Sequence, residues 1–185
     1  AADGVALNLF IDGVASGKTP QGRAFELITA TNYPRDAKVA LKLNLEAPER
    51  FVLRIRDPYW SKTTTVTLGG KAAGKKIGGY IEIDREWKSG DEIELELDMR
   101  IEAIRPTPYG SQVLMNEIIW EPDHMIPTFD REDPLASKHI AFRRGPVMLA
   151  QDNRLGYSVD EPTAFVLRED GYVDSYECQK ELPYN

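Results

Sequence analysis

The sequence is short of the residues that most enzymes use for chemistry. Cys178 is its one cysteine in 185 residues, which excludes an internal disulfide and a zinc site built from cysteines. Glu177 and Gln179 flank it, and a neighbouring carboxylate disfavours the thiolate that a nucleophile needs. Only two histidines are present, His124 and His139, and no serine stands in a G-x-S-x-G elbow, so nucleophilic catalysis has little support. Gly17-Lys18-Thr19 and Gly69-Gly70-Lys71 are fragments of a phosphate loop without its full spacing or its following helix. No apolar run approaches the roughly 20 residues that a membrane helix needs. A basic start with an apolar core is also missing. That leaves a cytosolic protein, or a chain numbered after a targeting segment or from inside a longer one. The 23 basic residues are scattered among 30 acidic ones, for a net charge of −7. Nucleic acid is therefore not an expected partner, because displacing counterions from phosphates takes a concentrated basic face.

What the sequence has instead is alternation. Ile93, Leu95, Leu97, Met99 and Ile101 share one parity, and Glu92, Glu94, Glu96, Asp98, Arg100 and Glu102 the other. Successive side chains of a strand point to opposite faces, so this pattern predicts a strand with one face buried and one in water. Val39, Leu41, Leu43 and Leu45 repeat it, as do Phe51, Leu53 and Ile55. Further strands are expected at Val5–Ile11, Phe25–Thr31, Thr64–Leu68, Tyr80–Asp84, Ile140–Leu149 and Ala164–Leu167. Turn chemistry separates them at Asp12-Gly13, Ala47-Pro48-Glu49, Gly69-Gly70, Gly78-Gly79 and Lys88–Asp91. No window of helical length keeps a 3.6-residue stripe. The fold class expected is all-β, an antiparallel β-sandwich of jelly-roll-like form with the start of a second sandwich, complete or not.

Three segments are expected: a sandwich domain over 1–106, a proline-rich acidic excursion or junction over 107–137, and further strands over 138–185. Pro106, Pro108, Pro122, Pro127 and Pro134 make a continuous central strand improbable around the excursion. A loop of such length is usually functional, a junction or disordered.

Candidate chemistry is thin. Glu121, Asp123 and His124 could offer oxygen and imidazole ligands to a divalent cation. The carboxylates between Glu117 and Asp133 could supply a glycosidase acid/base pair, which needs a separation of roughly 5–10 Å. Acidic runs in loops are mostly solvated and no established ligand spacing is present, so no catalytic residue and no metal site is assigned. Trp60, Trp87, Trp120 and Tyr109, with Tyr59, are the sugar-contact candidates, since pyranose faces stack on aromatic faces. Aromatics in a sandwich more often serve packing. In Phe142-Arg143-Arg144-Gly145-Pro146-Val147-Met148-Leu149 the paired arginines suggest an anion clamp. Adjacent strand residues face opposite ways, however, so a carboxylate partner for one arginine is expected, with a bulge or edge at Gly145-Pro146.

Three stretches carry a resemblance: ERFVLRIRDPYW (Glu49–Trp60), GGYIEIDREWKSGDEIELELDM (Gly78–Met99) and HIAFRRGPVMLAQ (His139–Gln151). They resemble the region after the catalytic barrel in glycoside hydrolase family 127, the β-L-arabinofuranosidase-like enzymes. The opening DGVALNLFIDG (Asp3–Gly13) is similar to the segment by which those chains leave the barrel. Asp57-Pro58-Tyr59-Trp60 departs from the family pattern, which tends to an apolar residue before the proline and a small one before the tryptophan. The resemblance implies an upstream (α/α)6 barrel that carries the chemistry with a zinc-held cysteine cluster and a glutamate. None of those residues maps onto this chain, so no cofactor is expected in it and zinc belongs to the barrel. By the same resemblance the chain is a non-catalytic accessory segment of a hydrolase of arabinose-containing glycans. It would brace its own upstream barrel, act outside the cytoplasm (secreted or periplasmic), and offer a homodimer contact. A free-standing carbohydrate-binding module is the alternative, and an enzyme working through the Glu117–Asp133 carboxylates is a third.

Overall fold

The computed structural model describes residues 3–104, 140–150 and 165–175. The excursion, with Tyr109, Trp120, Glu121, Asp123 and His124, lies outside the described residues, as does Cys178. The chain divides into two compact units, Ala1–Met99 and Arg100–Asn185.

The first unit holds ten strands: β1 Gly4–Leu7, β2 Gly13–Lys18, β3 Ala24–Thr31, β4 Lys38–Leu45, β5 Glu49–Arg56, β6 Thr65–Leu68, β7 Lys71–Ala72, β8 Lys75–Ile77, β9 Tyr80–Trp87 and β10 Asp91–Glu96. They form two sheets, a smaller one ordered β1-β5-β9-β8 and a larger one ordered β2-β3-β4-β10-β6-β7. The pairings are antiparallel except for β1, which runs parallel to β5 with Gly4 opposite Val52 and Leu7 opposite Ile55.

Alternation fixes which side of each sheet is core. In the larger sheet Leu27 lies opposite Leu43, and Leu41 opposite both Thr29 and Ile93. In the smaller sheet Leu53 pairs with Ile83 and Ile55 with Ile81. The apolar side chains among these are buried and join one cluster with Val39, Phe51, Leu95, Leu97 and Trp87. Each fully buried aliphatic or aromatic side chain contributes about 1.5–3 kcal/mol by leaving water. The same alternation puts Glu92, Glu94 and Glu96 outside, where Lys42 meets Glu92 at 3.4 Å.

The ladder of β10 stops at Glu96 although the alternation continues to Ile101. The backbone partners change at that point. The N–H of Leu97 donates to the carbonyl of Ala37 at 2.9 Å, and that of Asp98 to Ser61 Oγ at 2.8 Å. Leu97 and Met99 stay buried outside any strand.

The second unit holds β11 Ile101–Ile104, β12 Ala141–Arg144, β13 Val147–Leu149 and β14 Tyr172–Val173, in a sheet ordered β13-β12-β11-β14. The strand expected over Ile140–Leu149 is thus a hairpin. Arg144 pairs with Val147, and Gly145-Pro146 is its two-residue turn rather than a bulge. Gly145 has a φ of 57°, a conformation that suits glycine at the first turn position. The strand expected up to Leu167 is reduced to a single bridge from Leu167 to Val173. No described helix is long and apolar enough to cross a membrane.

Candidate functional site

Two of the four sugar-contact candidates are core residues. Trp87 is 0% exposed; its indole N–H donates to the Phe51 carbonyl at 3.0 Å, and its ring lies 6.0 Å from that of Phe51. Trp60 is 9% exposed and stacks on Tyr33 at 6.4 Å, with Phe10 edge-on to Tyr33 at 5.6 Å. Trp87 thus has no ring surface open to solvent and Trp60 little. Burial also pushes the Tyr33 phenol above its usual range. Tyr59, at 83% exposure, is the aromatic of that segment open to solvent. Tyr109 and Trp120 lie outside the described residues, as do the metal candidates. Among the described residues no cluster of three or more His, Cys, Asp or Glu could hold a metal ion.

The outer face of the smaller sheet is a charged lattice. Strand β5 contributes Arg50 and Arg54, and β9 the acids opposite them. Arg54 makes a bidentate pair with Asp3 at 2.7 and 2.9 Å and a second pair with Glu82 at 2.8 Å. Arg50 meets Asp84 at 3.1 Å. The Arg54 guanidinium holds the Asp3 carboxyl below its usual range, and those carboxylates in turn raise the pKa of Arg54. A face of satisfied ion pairs is stable in water and offers no ready site for an apolar partner.

Glu49 begins β5, and its side chain is fully enclosed. Its carboxylate accepts from Thr19 Oγ1 at 2.6 Å and from the Gln21 N–H at 3.1 Å, with Arg23 at 3.9 Å. Those partners all come from the turn joining β2 to β3. Glu49 therefore ties the two sheets together and cannot reach a substrate.

The exposed corner of the first unit has the opposite character. Leu9 and Ile11, on the link between β1 and β2, are 61% and 66% exposed, and Val14 on β2 is 61% exposed. Val14 lies opposite Ile28, and Ala30 opposite Ala40, on the outer face of the larger sheet. This corner carries apolar side chains where the rest of that face carries Glu and Lys. Contiguous exposed apolar surface marks contact with another protein surface more often than it marks a catalytic centre. Sequence reading missed it because β2 has no alternation, only the run Gly13-Val14-Ala15-Ser16-Gly17.

In the second unit Arg143 and Arg144 project from opposite faces of β12. Arg143 sits opposite Glu102 and pairs with its carboxylate, both side chains largely buried. Arg144 lies opposite Ile101. Arg100 rests 3.7 Å above the Tyr172 ring and 3.2 Å from Asp170. The arginine pair is thus no clamp on a single ligand, and Arg143 belongs to the sheet's own bonding.

The first unit is thus an all-β sandwich with a sealed core, a solvated charged face and an exposed apolar corner. Residues 4–99 match the family model described as β-L-arabinofuranosidase, GH127 middle domain, and the chain belongs to that family. Its fold is similar to that of a GH127 β-L-arabinofuranosidase from Geobacillus stearothermophilus T6, with a TM-score of 0.62 and 26% identity over 80% of this chain. Two further structures share the fold at TM-scores of 0.60 and 0.59. One is a glycoside hydrolase at 22% identity and 80% coverage, the other a GH127 β-arabinofuranosidase at 21% identity and 79% coverage. The chain spans only 20–22% of the length of these three structures. No curated protein matches its sequence.

Proposed function

We propose that this chain is the non-catalytic sandwich segment of a longer glycoside hydrolase that acts on arabinose-containing glycans outside the cytoplasm. In this reading it braces an upstream catalytic barrel. The match of residues 4–99 to the GH127 middle domain carries the reading. Supporting it, Glu49 is enclosed, and Leu9 and Ile11 are exposed on a link that precedes the sealed core. Any zinc would belong to the barrel, since this chain offers one cysteine.

The test compares hydrolysis of β-L-arabinofuranosides by the 185-residue chain and by the longer protein. Activity is expected only in the longer one, and turnover by the chain alone would defeat the reading. In the longer protein, Leu9→Asp with Ile11→Asp should lower activity while the sandwich keeps its own melting temperature. Calorimetric titration of the chain with arabino-oligosaccharides should show no binding. Binding through Tyr59, lost in Tyr59→Ala, would favour a carbohydrate-binding module instead.

A further inference from the structure

Three Asp-Gly steps occur in the chain: Asp3-Gly4, Asp12-Gly13 and Asp170-Gly171. An aspartyl side chain can react with its own backbone when glycine follows, since no Cβ shields the next nitrogen. The fold treats the three steps differently. Arg54 grips both oxygens of Asp3, at 2.7 and 2.9 Å, and a Cβ at Gly4 would overlap the Val52 carbonyl oxygen, so that step is closely packed. Arg54 also holds the Asp3 carboxyl below its usual range, in the ionised form that a nitrogen attacks poorly. Asp170 Oδ1 accepts from the Tyr172 N–H at 3.2 Å, and Arg100 stands 3.2 Å from Oδ2. The Gly171 N–H already donates to the Arg168 carbonyl at 3.0 Å. Asp12 is exposed and has one tie, its Oδ1 accepting from the Thr31 N–H at 3.1 Å. Gly13 opens β2 at the end of an edge strand, with a φ of 140° and nothing within 4 Å of where a Cβ would stand.

We propose that Asp12-Gly13 is a site of isoaspartate formation, a modification that the folded chain undergoes with water alone. The Gly13 nitrogen attacks Cγ of the protonated Asp12 carboxyl. A C–N bond forms, a C–O bond breaks, and the hydroxyl leaves with the Gly13 amide proton as water. The cyclic imide then takes water back at either of its carbonyls. Opening at Cγ restores aspartate. Opening at the main-chain carbonyl leaves the chain running through Cγ, with the carboxylate on Cα. Nothing is oxidised or reduced, and the mass is unchanged. The product places one more carbon, about 1.5 Å, in the main chain at the head of β2. Its carboxylate no longer stands where the Thr31 N–H meets it. Thr31 is a joint at the end of β3: its Oγ1 donates to the Lys38 carbonyl at 2.7 Å and accepts from the Tyr33 N–H at 3.0 Å. The change also falls between Ile11 and Val14, within the exposed apolar corner.

The test is peptide mapping of the 185-residue chain after ageing at neutral pH in heavy-oxygen water. It reads isoaspartate and incorporated oxygen separately at the three steps. Asp12 should lead Asp3 and Asp170 by roughly fivefold or more, because an exposed ion pair holds its carboxylate by up to a factor of about five. In urea, where no tie survives, the three should react at similar rates. Arg54→Ala should speed the reaction at Asp3 several-fold and leave Asp12 as it was. Asp12→Glu, which would have to close a larger ring, should bring the site to background. In the aged wild-type chain, the Thr31 amide should lose protection in proportion to the isoaspartate at position 12. Asp12 reacting no faster than Asp3 or Asp170 in the folded chain would overturn the proposal. So would a folded chain that stays unmodified at Asp12 while the chain in urea converts, or isoaspartate there with Thr31 still fully protected.

Discussion

Replacing Trp87 by Phe tests whether its ring is a structural element or a ligand surface. Its indole N–H donates to the Phe51 carbonyl at 3.0 Å in a site with 0% exposure. Phenylalanine cannot donate, and a typical hydrogen bond contributes about 1 kcal/mol net. The smaller ring also leaves a void beside Phe51, which costs about 1–2 kcal/mol more by analogy with large-to-small core changes. The Arg85 guanidinium, 5.2 Å from the ring centre, loses the stronger indole quadrupole as well. The sum is about 2–3 kcal/mol, or a fall in melting temperature of roughly 10–20 °C for a unit near 100 residues. Thermal and urea unfolding by circular dichroism measure it, and the urea slope should not change because the surface exposed on unfolding is nearly the same. Trp87→Ala should cost about 3–5 kcal/mol. If Trp87→Phe melted within about 2 °C of wild type, the ring would not be the sealed core element described, whatever it did to sugar binding.

Asp3→Asn should remove one component of acid sensitivity. The Asp3 carboxyl is depressed below 3.8 by Arg54, so its contribution is fully present above that value and is lost as pH falls through the depressed one. Urea midpoints between about pH 2 and pH 6 should show a shallower acid limb in the variant than in wild type. Arg143→Ala should speed amide exchange of β11 and β12 by about tenfold or more, since it strands Glu102 in a largely buried pair. Arg50→Ala should shift stability by less than about 0.5 kcal/mol in urea unfolding, because its pair with Asp84 is mostly exposed. Gly4→Ala should detach β1, because an added Cβ would overlap the Val52 carbonyl oxygen, a backbone atom with no room to yield. Loss of protection at the β1 amides, with a lower melting temperature, is the expected readout.

The central strands were legible because burial on one face writes itself into alternation. The runs Val39–Leu45 and Phe51–Ile55 lie in β4 and β5 with their apolar residues inward. Alternation reports burial, not ladder membership, and this is why the pattern from Ile93 to Ile101 overran the end of β10. Leu97 and Met99 are buried, but their backbone bonds go elsewhere. Strands β2, β7 and β8 left little trace because edge strands bury almost nothing, so selection for an apolar face is weak there. The parallel run of β1 could not be read either. It depends on which edge of β5 is vacant, and no local residue encodes that. Trp60 and Trp87 showed the limit of residue type as a guide to sites, since exposure separates a sugar platform from a core ring. The family resemblance was carried by the central strands and is confirmed for residues 4–99, the part whose sequence is tied most tightly to the core.

The parallel pairing of β1 with β5 also sets a timetable for synthesis on the ribosome. Gly4 must wait for Val52, made 48 positions later (52 − 4), before its strand has anywhere to go. At about 5–20 residues per second the delay is roughly 2–10 s, far longer than the microseconds in which a hairpin closes. Through that interval Val5 and Leu7 are an unhoused apolar segment, and β5 in turn emerges with one flank bare. Strand β1, the earliest of this unit to be made, is thus placed only after β5, and slower translation of residues 4–52 would lengthen the vulnerable period.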